Sequence, residues 1–212
     1  MDFPRKGKPN MKKLLFAVTA LAALSLLAPS TGFAAGALNQ LGFYTDVDMT
    51  DVNMSAGLYT SQDVYLVLSN PYNHDLDSAV TAINGVEFTI VYDSAQLNAT
   101  PFVFATPAVN VGSGNIYIAG FGTPLPVGEG GYVSLGTASF FVLTTDPAFI
   151  YLAPSEPVTN PGNMAYLDFN QETVGTNMYP SSGDYANPVF SFNGGVVATE
   201  NASMDQIKAM FR

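Results

Sequence analysis

The sequence predicts an all-β domain, a β-sandwich or jelly roll of roughly nine strands with a short C-terminal helix. Three observations carry that expectation: apolar residues recur with a period of two, Gly, Pro, Asn and Asp bound the apolar runs, and many such short runs follow one another. Zero Cys excludes disulfide staples, so stability has to come from apolar burial. A chain that is 48% hydrophobic, with 15 Phe and 11 Tyr, can supply it.

The strands are expected in order as follows. LGFY at 41–44 is short and apolar. In DVYLVLSNP, Val64, Leu66 and Leu68 share a face, and Asn70 with Pro71 ends the run because proline cannot donate to a ladder. A turn or loop over 70–78 follows. GVEFTIVYD is the clearest strand, with Val86, Phe88, Ile90 and Tyr92 on one side and Glu87, Thr89 and Val91 on the other. FVFA at 102–105 and NIYIAGF at 115–121 come next. In YVSLGTASFFVL the apolar phase changes across Gly136, which predicts a β-bulge there. AFIYL at 148–152, AYLDF at 165–169, and VFSF with GVVA over 189–198 complete the set. Ser203 and Gln206 form a capping box that opens the predicted helix over 201–212, with Met204, Ile207, Met210 and Phe211 on one side.

Ahead of this domain, Lys12 and Lys13 precede the 15-residue apolar run LLFAVTALAALSLLA, and Gly32 and Ala34 stand where a signal peptidase needs small residues. Residues 1–34 are therefore expected to be a secretory signal, with translation starting at Met1 or Met11. The domain is expected over 35–200 and the tail over 201–212. No stable membrane span is expected after cleavage, and the location is extracellular, at the cell surface or in the periplasm.

Removing the signal changes the electrostatics. Arg5, Lys6, Lys8, Lys12 and Lys13 go with it, and Asp2 is the one acid lost, so 16 of the 17 acidic residues face only Lys208 and Arg212. Such a field repels phosphate backbones and excludes nucleic acid as a partner, while favouring cationic partners and divalent cations.

INGVEFTIVYDSAQL at 83–97, followed by VSLGTASFFV at 133–142, resembles cohesin-type modules of cellulosomal scaffoldins. The shared features are an alternating strand closed by a Tyr-Asp pair and a later strand of the form apolar-Gly-small-apolar. The resemblance covers about 62–143 and implies a nine-stranded jelly-roll sandwich with a non-catalytic recognition role. Segments 70–84 and 153–188 look like insertions relative to that pattern.

Nucleophilic catalysis lacks parts: His74 is the only histidine, there is no Cys, and the domain has no Lys before Lys208. A glycosidase-type carboxylate pair could be drawn only from Glu87, Glu129, Glu156, Glu172 and Glu200, each in a separate segment, so a glycoside hydrolase is the third reading. Calcium is the cofactor best suited to hard oxygen ligands. Candidate ligands are Asp46, Asp48 and Asp51, with Asn53, and Asp168, Asn170 and Glu172 in LDFNQE. The alternative for both clusters is an Asp-rich turn.

Two functions are expected ahead of catalysis. The first is an extracellular recognition module that binds a protein or glycan, with Tyr72, Asn73, Tyr179, Tyr185 and Asn187 as candidate contacts because they set aromatic rings beside amides. The second is a structural subunit, a homo-oligomer assembling through sheet edges that no Lys guards, with the segment from Gly36 to Tyr44 as a strand offered to a neighbour.

Overall fold

A computed structural model of the chain describes residues 37–156, 161–194 and 197. Its strands are β1 (Gln40–Tyr44), β2 (Asn53–Met54), β3 (Ser61–Ser69), β4 (Tyr72–Asn73), β5 (Ser78–Ala79), β6 (Ala82–Tyr92), β7 (Leu97–Ala99), β8 (Val103–Phe104), β9 (Ala108–Asn110), β10 (Ile116–Pro126), β11 (Tyr132–Val142), β12 (Ala148–Ala153), β13 (Met164–Asp168), β14 (Gln171–Pro180) and β15 (Phe190–Phe192). The described residues contain no α-helix, and none of their segments is a helix long and apolar enough to cross a membrane. The helix expected over 201–212 lies outside the described residues. So does the GVVA strand, apart from the buried Val197.

The sandwich has two layers. In one, β11 pairs with β3 along most of its length, β3 pairs with β1, and β7 and β8 line the far side of β11. The other is centred on β6, which takes β10 along one edge and β12 and β13 in tandem along the other. Beyond them lie β9, β15, β14 and β2. A short parallel pairing of β1 with β14 joins the two layers.

Alternation accounts for the core. Val64, Leu66 and Leu68 of β3 and Phe88 of β6 are fully buried, and Val86 and Ile90 nearly so. Aromatic rings lock one layer to the other: Phe140 meets Tyr92 edge-on at 5.5 Å and Phe192 at 6.0 Å, and Phe88 meets Phe102 at 6.0 Å. The Tyr-Asp pair closes β6 because Tyr92 packs on Phe140 while Asp93 accepts the backbone N–H groups of Ala95, Gln96 and Leu97. The bulge expected at Gly136 is present: the β11–β3 register slips between Ser134 and Gly136, and φ there is 150°, a region L side chains rarely adopt. A Cβ at this position would collide with the Val103 carbonyl.

Three expectations change. The loop expected over 70–78 holds a small ribbon of β4 and β5. Segment 153–188 is not an insertion loop: it contains β13 and β14, both part of the β6 layer. Its ten-residue strand β14, QETVGTNMYP, lacks clean alternation because most of it is exposed or only half-buried. The segment ending in Tyr44 is not a spare strand, since β1 is buried between β3 and β14 of its own chain. Among the border strands, β2, β7, β8 and β9 are only two or three residues long, whereas the ten-residue β14 meets β1 only at Tyr179 and Pro180.

Two outcomes follow from this core. Phe88→Asp places a charge among Phe102, Tyr117 and their neighbours and is expected to cost at least about 4 kcal/mol, read by urea unfolding. Burial raises the phenols of Tyr44, Tyr117, Tyr166 and Tyr185 above their ordinary 10.0. A raised folded-state pKa contributes stability that is complete below pH 10 and is lost as pH climbs through the folded values. The melting temperature should therefore hold to about pH 9.5 and fall above 10, together with tyrosinate absorbance. Tyr166→Phe should reduce the fall.

Candidate functional site

Two hollows on the β6 layer concern function: a groove on the outer face of β13, β6, β10 and β9, and a cleft between the β4–β5 ribbon and the β13–β14 hairpin.

The groove follows from register. Leu167 lies opposite Gly85, Gly85 opposite Gly120, and Gly120 opposite Val109, so one cross-strand row carries a large side chain at each end and two glycines in the middle. The neighbouring row runs Asn177, Ala165, Glu87 and Ile118, with Val111 bonded to Ile118 beyond it. The result is an apolar trough of about 390 Å³. Its rim valines, Val109 and Val111, are 72% and 74% exposed. A Cβ added to Gly120 would meet nothing within 4 Å, whereas one on Gly85 would strike the Ala119 carbonyl. The emptiness over Gly120 is therefore not needed by the backbone.

Glu87 lies in the trough floor. It points away from the core, as its strand position requires, but it is not solvated: it is 5% exposed and accepts a 2.6 Å hydrogen bond from the Ser155 hydroxyl. Thr89, two residues on, donates to the Pro154 carbonyl at 3.1 Å. Residues 154–155 thus fold over the outer face of β6 and bury a carboxylate that alternation alone places in water.

The cleft, about 370 Å³, brings together three of the expected contact residues or their neighbours: Asn73 and His74 on one side, Tyr179 on the other. Tyr72 supports it. Asn39, 1% exposed, accepts the Tyr72 N–H (2.7 Å) and donates to the Tyr72 carbonyl (3.0 Å), and the Tyr166 hydroxyl has the Asn39 Oδ1 and the Tyr72 carbonyl as alternative acceptors at 3.0 and 3.1 Å. The phenol of Tyr72 bonds Asp77, which raises its pKa. Asn73, also 1% exposed, donates to Asp168 (2.9 Å) and Gln171 (2.8 Å) and accepts the N–H groups of Asp75 and Leu76. Tyr185 and Asn187 serve a different end. The Tyr185 hydroxyl accepts from Met164 N–H and donates to the Met178 carbonyl, and Asn187 closes a turn with Asp184.

The acidic clusters are occupied within turns. Asp46 takes the Thr50 hydroxyl and N–H, which lowers its pKa, and Asp51 takes the N–H of Asn53. LDFNQE is the β13–β14 hairpin: Asp168 is 1% exposed, caps Asn170 N–H through Oδ1 and receives Asn73 through Oδ2, while Glu172 receives Asn84. Among the described residues no three His, Cys, Asp or Glu side chains gather in a way that could hold a metal ion. Sequence reasoning missed the groove entirely. Its signal was present as Gly85 and Gly120, each inside an apolar strand, but only the pairing of β6 with β10 sets them side by side.

No family model matches the sequence, and no curated protein matches it. Solved structures similar to the chain include a type II cohesin domain from the cellulosome of Acetivibrio cellulolyticus, at 12% identity and a TM-score of 0.45, covering 82% of this chain and 99% of that one. A cohesin module from a family 33 glycoside hydrolase of Clostridium perfringens is similar at 9% identity and 0.42, over 66% and 90%. A non-cellulosomal cohesin from the archaeon Archaeoglobus fulgidus is similar at 9% and 0.40, over 66% and 86%. They belong to the family that the motifs at 83–97 and 133–142 resemble.

Asn73→Ala deletes both donors that the buried Asp168 and Gln171 share with the ribbon. The expected loss is about 1–3 kcal/mol, with amide exchange accelerating first between residues 75 and 80.

Proposed function

We propose that the chain is a non-catalytic recognition module of an exported protein, and that it takes a protein partner in the groove over Gly85 and Gly120. The observation that carries this reading is the glycine row. On a sheet face otherwise filled by side chains, two adjacent glycines leave a socket with open space above Gly120, walled by Leu167 and Val109. An apolar anchor from a partner would fill it and would dry the exposed valines at its rim. Charge describes the rest of the partner: a stretch with no Lys or Arg between Lys13 and Lys208 favours an apolar segment with basic flanks. The cohesin-like strand motifs are consistent with recognition as the task.

Assembly into a filament through sheet edges has less support. The border strands β2 and β7–β9 offer two or three residues each to a neighbour, too few for a stable ladder, which leaves β14, paired with β1 only at Tyr179 and Pro180, as the longer edge such assembly would need.

Gly120→Leu tests the groove. The variant should melt within about 0.5 kcal/mol of the parent, because its side chain enters open space. With both proteins immobilised and exposed to the secreted fraction of the source cells, a protein retained by the parent and lost by Gly120→Leu supports the reading. Equal retention by both sinks it. Growth of the scattering mass with concentration, unchanged in Gly120→Leu, would instead favour the edge-assembled subunit.

A further inference from the structure

We infer that the cleft between the β4–β5 ribbon and the β13–β14 hairpin, which adjoins the groove at Gly175, binds a neutral saccharide. The cleft has a rigid floor and open walls. Its floor amides, Asn39 and Asn73, are almost fully buried and spend their hydrogen bonds on Tyr72, Asp168, Gln171 and the ribbon backbone. They therefore fix the walls and leave recognition to other groups. Around the mouth stand the His74 imidazole, the Asp75 carboxylate, the Asn163 amide and the Tyr179 hydroxyl, none of which hydrogen-bonds through its side chain to another described residue. The Tyr72 ring meets the His74 imidazole edge-on at 5.2 Å.

This combination selects a ligand chemistry. Tyr179, 41% exposed, offers a flat ring beside donors and acceptors. A pyranose presents the same pair of features, a C–H face and a hydroxyl rim, and a pocket of about 370 Å³ suits one or two sugar rings. Uronic acids and phosphorylated sugars are disfavoured: no Lys or Arg occurs between Lys13 and Lys208, and Asp75 stands at the mouth. The site is built by segments 72–79 and 163–179, parts of the chain outside the β3–β6–β10–β11 framework that carries the core.

Titration calorimetry of the purified protein with cellohexaose, xylohexaose and chitohexaose, and with hexagalacturonate as the anionic contrast, tests this. At least one neutral probe should bind at millimolar concentration or below, and hexagalacturonate should not. Tyr179→Ala should weaken that binding about tenfold while keeping the parent's melting temperature, since the ring is on the surface. Asn163→Ala should weaken it without unfolding, and Gly120→Leu should leave it unchanged, which separates this site from the groove. Absence of heat with all three neutral probes overturns the inference. So does equal binding by Tyr179→Ala, or binding of hexagalacturonate as tight as that of the neutral sugars.

Discussion

Strand β6 is hydrogen-bonded along both edges, and this constraint organises the domain. With partners on each side, every second residue of β6 must enter the core and every other one must face outward, and a slip by one residue would exchange the two sets. Inward, Phe88 and Ile90 build the layer contact with Phe102, Phe140 and their neighbours. Outward, Gly85 and Glu87 floor the groove. The core and the binding surface are thus opposite faces of the same few residues.

The outer face shows how a nearly neutral interior coexists with a strongly acidic chain. Glu87 and Asp168 are both buried, and the described residues contain no Lys or Arg. Hydroxyl and amide donors serve them: Ser155 for Glu87, Asn73 for Asp168. Neutral donors satisfy a buried carboxylate without a paired charge, and they tie distant segments together, residues 73 and 168 in one case and 87 and 155 in the other. These bonds fasten the β4–β5 ribbon and the 154–155 crossing to the sandwich, and through them shape both hollows.

The strands legible in the sequence were those whose alternation is set by burial on one face. β3, β6, β10, β11 and β12 read correctly because solvent and core impose opposite demands on successive residues. Gly136 was legible as a bulge because the apolar phase visibly shifts across it. β14 was not, since a strand with only two buried residues places little apolar demand on alternate positions and its membership comes from pairing with β13. For LDFNQE and TDVDMTDVN the sequence leaves both an ion loop and an Asp-rich turn open, because Asp and Asn supply the same oxygens to a backbone N–H in a turn as to a cation, and spacing alone does not separate the two.

By itself the sequence determined the fold class, the core residues, the lack of disulfides and the acidic field, since each depends on composition or on local period. Tertiary structure decided the rest. Gly85 and Gly120 are 35 positions apart in the chain and become one socket only through the β6–β10 register, and Asn73 meets Asp168 only because the ribbon folds back onto the hairpin. Sites made of long-range contacts leave no periodic trace, because the residues that form them are chosen by where strands pair and not by their neighbours in the chain.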